Sequence, residues 1–78
     1  MNRNDAILTI IAVEVGNSNH GSFLKSMAGA WSVGDPENKD IIRTAWRSII
    51  NRYNLRKEYE AAIEEHLPEY LGEAEGRE

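Results

Sequence analysis

The chain has 78 residues, 41% hydrophobic and 28% charged, with a net charge of −4 and no cysteine. That is one domain at most, with a small interior, and it excludes disulfides, thiolate metal sites and thiol nucleophiles. Two histidines alone do not make a structural zinc site, and no apolar run reaches the roughly 18 residues that span a bilayer. The start, Met-Asn-Arg-Asn-Asp, lacks the features of a secretory signal, so a soluble, cytoplasmic protein is expected.

The chain reads as all-α: a small bundle of three to four short helices over about 5–15, 20–33, 36–53 and 56–66, in a single domain of residues 1–71 with a polar acidic tail, 72–78. The first element, 5–15, has Asn4 as a cap, Asp5 at the positive end and Gly16 as a stop. Its β-branched residues (Ile7, Thr9, Ile10, Ile11, Val13, Val15) also suit a strand. As a helix it is apolar around most of its circumference and must be buried on nearly all sides. A chain this small does that with difficulty, so a homo-oligomer is expected.

In the second element Phe23, Leu24, Met27, Ala28 and Trp31 repeat on one helical face, with Asn19 or Ser18 as the N-cap and Gly34 as the stop. The third opens on Asp35-Pro36-Glu37-Asn38, where Asp35 caps, Pro36 takes the first helical position and Glu37 meets the dipole. Ile41, Ile42, Ala45, Trp46, Ile49, Ile50 and Tyr53 form its apolar stripe; Asp40, Thr44, Ser48 and Asn51 gather on the wet face. Lys39, Arg43 and Arg47 line one border of that stripe and Arg52 the other. Asn54-Leu55 breaks the chain, since Asn tolerates the left-handed conformation. The fourth helix ends before Pro68. Its Arg56 and Lys57 stand at a helix start, where cations are disfavoured, which hints at an outside use.

Charge is segregated: residues 1–38 sum to −2, 39–57 to +5 and 58–78 to −7. The tail either folds back on the basic segment or leaves it exposed. No catalytic or metal motif is present. His20 and Ser22 are two apart and diverge on a helix, and Glu64, Glu65 and His66 are contiguous, without the spacing a ligand set needs. No enzyme and no cofactor is expected. The candidate binding residues are Asn19, His20, Gly21 and Ser22, together with Arg43, Arg47 and Trp46. In the plain reading the turn is a cap, Gly21 allows tight packing, and Trp31 and Trp46 anchor the core. In the sharper reading, amides at the turn and a protonated His20 meet an anion that Arg43 or Arg47 clamps.

His20-Gly21-Ser22-Phe23-Leu24, Asp35-Pro36-Glu37-Asn38, Arg43 to Trp46 and Tyr53-Asn54-Leu55 resemble small α-helical accessory proteins of unassigned function from phages and prophages, over about residues 5–55. The resemblance carries no catalytic signature. It implies a setting in which short proteins bind and inhibit a host component, including defence systems, or sequester a small signal. Three functions follow, in order: a protein-binding inhibitor or adaptor, an oligomeric sponge for an anionic small molecule such as a nucleotide signal, and nucleic-acid binding through 39–57. The net acidity disfavours the last, and no membrane partner is expected.

Overall fold

A computed structural model describes residues 1–72; the tail beyond Gly72 lies outside the described residues. The fold is all-helical. It contains α1 (Arg3–Gly16), α2 (Ser22–Val33), α3 (Pro36–Arg52), α4 (Leu55–Glu58) and α5 (Glu60–Leu71). Among the described residues no helix is long and apolar enough to cross a membrane.

The first element is a helix despite its β-branched content, because burial outweighs the small propensity difference. It starts two residues earlier than the sequence suggests. Asn2, not Asn4, is the cap, and its side chain accepts from the Asp5 amide at 2.8 Å. Ala6, Ile7, Leu8, Ile10, Ile11, Ala12 and Val15 are all buried. Each large aliphatic among them contributes about 1.5–3 kcal/mol of burial. The cover comes from the chain itself, with α2 and α5 packed along α1 and α3 reaching it through side chains. Burying α1 therefore needs no second copy.

The two indoles hold α2 and α3 to α1. Trp46 donates from Nε1 to the Leu8 carbonyl at 3.1 Å. Trp31 donates from Nε1 to Thr9 Oγ1 at 2.9 Å, and that hydroxyl donates to the Asp5 carbonyl at 2.8 Å. Both tryptophans are fully buried, as anchors of the core. The ammonium of Lys39 and the guanidinium of Arg43 lie over the Trp31 ring, 5.5 and 5.6 Å from its centre.

α3 begins as its sequence dictates, with Asp35 Oδ1 accepting from the Asn38 amide at 2.9 Å and Pro36 in the first turn. Its stripe is narrower than the pattern suggests. Trp46 and Ile50 are buried, Ile42 and Ile49 half-buried, and Ile41, Ala45 and Tyr53 face solvent. Phe23 of α2 is likewise 58% exposed. One neighbour along one seam covers only part of an apolar stripe.

The break falls where the sequence places it: Asn54 is left-handed at φ 58°. The last predicted helix is two. A single turn, α4, ends at Tyr59, and α5 then runs through Pro68 to Leu71. Pro68 removes one backbone donor, but it is exposed, and burial of Leu67 with packing of Tyr70 and Leu71 against the core carries the helix past it. Left-handed Gly72 ends it at φ 72°.

Candidate functional site

The Asn19–Ser22 turn serves as a tie within the fold. Ser18 does not cap α2. Its Oγ donates to the Val15 carbonyl at 2.7 Å and accepts from the His20 amide at 3.1 Å, closing the exit from α1. The N-cap of α2 is Gly21, which makes no side-chain cap bond. Gly21 is not a close-packing glycine either: a Cβ there would meet nothing within 4 Å. Gly34 is the tight one, since a Cβ on it would stand 3.1 Å from the Ala30 carbonyl oxygen.

His20 Nε2 lies 2.9 Å from the Tyr59 hydroxyl and 3.3 Å from a carboxylate oxygen of Glu58. The α1–α2 turn is thereby fastened to the α4–α5 junction. Burial, with the nearby charges of Glu58 and Glu14, raises Tyr59 above the usual phenol range. The charge beside His20 is negative, which opposes an anion at this turn.

The guanidiniums lie elsewhere. Arg43 grips Asp5 side-on, Nε to Oδ1 and Nη2 to Oδ2, both at 2.8 Å, and donates to Asp40 from Nη1 at 2.6 Å. The bond from Arg43 holds the Asp5 carboxyl below its ordinary range, and the two carboxylates push Arg43 up. Asp5 lies in the first turn of α1, and Asn19–Ser22 follows its last turn. Fourteen residues of helix span about 21 Å. So Arg43 and Asn19–Ser22 do not come together, and Trp46 is enclosed.

Arg47 stays exposed and joins residues that the sequence reading left out. Three concave regions surround the first turns of α1. The smallest, about 160 Å³, lies between α1, α3 and α4, with Ile7, Leu8 and Ile50 on its floor and Arg47, Arg56 and Asn51 on its rim. A second, about 500 Å³, shares Ile7 and Arg56 and adds Arg3, Lys57, Glu60 and Glu64. A third shares Arg47 with the first and Arg3 with the second and adds Asp5, Asp40 and Arg43, so the three adjoin one another on one grooved surface. Among the described residues Arg3, Arg47, Arg56 and Lys57 have no carboxylate within 4 Å.

One signal for this site was in the sequence. Arg56 and Lys57 open the helix that the sequence predicts over 56–66, where cations are disfavoured, but in the structure they fall in the last turn of the single-turn α4. Arg3 carried no signal, since only packing brings it to them.

Among the described residues no cluster of three or more His, Asp and Glu side chains is placed to hold a metal ion. Comparison of the chain with protein-family models, with curated proteins and with solved structures yields no match.

Proposed function

We propose that this protein is a non-catalytic interaction protein of the inhibitor or adaptor kind, which acts by docking on a partner protein. In the phage-like setting that its sequence resembles, the partner is a host component such as a defence factor. One observation supports the reading above the others. Arg3, Arg47, Arg56 and Lys57 line adjoining concavities, and among the described residues none of them makes an ion pair within 4 Å, although Glu60 and Glu64 share the lining with three of them. Cations gathered without internal partners repel one another, and an acidic partner removes that cost. The test is a native mass measurement before and after addition of host extract. A stoichiometric adduct is expected; a mass unchanged by extract overturns the reading.

A second reading, a sponge for an anionic small molecule, draws support from Arg47 and Arg56 on the rim of the small cavity. It loses Arg43, which is already committed to Asp5 and Asp40. Thermal-shift screening against nucleotides, with Arg47→Ala as control, tests it. A true ligand at a hundredfold excess over Kd adds about 2.7 kcal/mol, and no stabilisation removes the idea. Nucleic-acid binding ranks third, because no aromatic side chain among the described residues lines the groove to stack a base.

A further inference from the structure

The groove is more selective than its charge alone, and its selectivity rests on the interaction reading above. Its floor is aliphatic: Ile7, Leu8 and Ile50 line the cavity between α1, α3 and α4, which has room for an aliphatic side chain. Guanidiniums stand on the rim beside that floor, Arg47 from α3 and Arg56 from α4. Beyond Arg56 the lining is mixed in sign, because Glu60 and Glu64 of α5 join Arg3 and Lys57.

Each feature narrows the ligand. A nucleic-acid strand presents phosphates at every step and bases between them; it would meet Glu60 and Glu64 in one concavity, Asp5 and Asp40 in another, and no aromatic face among the described residues that line the groove. A free polyanion would leave the aliphatic floor unused. A peptide can match all three parts, with an aliphatic anchor over the floor, carboxylates against Arg47 and Arg56, and an uncharged or basic residue toward Glu60 and Glu64. Anchors in a pocket flanked by charge pairs are the usual division of labour in peptide recognition.

We propose that the groove between α1, α3 and α4 is the docking site for an acidic protein segment carrying an aliphatic anchor residue, held by Arg47 and Arg56. The charges set orientation and the anchor sets strength, so each can be removed separately.

The test uses fluorescence anisotropy of a labelled synthetic peptide of glutamates flanking one leucine. Companion probes are the same peptide with alanine in place of the leucine, a version with lysines in place of the glutamates, and oligothymidylate. The glutamate–leucine peptide is expected to bind, and to weaken with salt. Alanine in place of leucine weakens it by about tenfold. Arg47→Glu and Arg56→Glu each weaken it by at least about tenfold. Both positions are exposed, so the variants keep the fold, which circular dichroism verifies. The inference is overturned if the glutamate–leucine peptide does not bind, if the charge reversals leave its binding unchanged, or if the lysine peptide or oligothymidylate binds as tightly. The two readings also fail separately. A partner complex from host extract that survives both charge reversals overturns the groove and leaves the interaction reading standing, whereas no complex at all overturns that reading.

Discussion

α1 and α3 are built on opposite plans. Seven of the fourteen residues of α1 are buried, against two of the seventeen in α3. α3 has the clearer amphipathic pattern, with a capped start, a stripe and a wet face. α1 has almost no pattern, because it is apolar nearly all round. The helix with the weaker periodicity is thus the centre of the fold, and the helix with the stronger one lies against it and leaves its polar side outward. A stripe tells where a helix can be covered; an absence of polar faces tells that it must be. The charged groove arises where the two plans meet, because the aliphatic floor comes largely from α1 and the cations largely from the helices around it.

The contrast breaks first at Ile11, which is fully buried in α1. Ile11→Asp places a carboxylate where it has no partner, and a loss above about 4 kcal/mol is expected. Circular dichroism should then show an unfolded chain at 25 °C. The matched change in α3, Ile41→Asp, falls on a side chain that is 75% exposed and should move stability by no more than about 0.5 kcal/mol. Equal losses would show that the two helices are not buried as described.

Next in size is the joint between them. Trp46→Ala empties the space that the indole fills and removes its hydrogen bond to the Leu8 carbonyl, for an expected loss of about 3–5 kcal/mol in denaturant unfolding. Thr9→Val keeps the shape of the neighbouring joint but removes the acceptor of the Trp31 indole N–H. Leaving that donor unpaired costs about 1–3 kcal/mol.

The smallest effect is in acid. Asp5 has a depressed folded-state pKa, set first by its bond from Arg43, relative to the ordinary 3.8. Its contribution is present in full above 3.8 and is lost as pH falls below that value through the folded one. In Asp5→Asn the part of the acid-unfolding slope due to this carboxylate should vanish; an unchanged slope would remove the Arg43 clamp from the account.

The cap at Asp35, the break at left-handed Asn54 and the core tryptophans were legible in local sequence, because each depends on residues only a turn apart. Three features were not. Asn2 caps in place of Asn4, because where the buried face of α1 begins depends on its neighbours. Ser18 and His20 looked like a helix cap or an anion turn, but their partners are Val15 behind and Tyr59 across the fold. Arg43 looked available on the margin of its stripe, yet Asp5, distant in sequence, occupies it. Of the residues expected at a site, Arg47 reaches the groove rim with its side chain exposed, whereas Trp46 is sealed in the core.

The sequence by itself determined the second and third helices, the break at Asn54, and that a strongly basic stretch precedes an acidic one, while it left the first element open between helix and strand. Those follow from propensity, caps and charge counts, which act over a turn or two of chain. Only the tertiary structure decided which cations keep their charge for the outside. An ion pair depends on the distance between side chains in space, and that distance is set by how α3 and α4 seat against α1. The same seating takes Arg43 into the fold and turns Arg47 and Arg56 toward solvent.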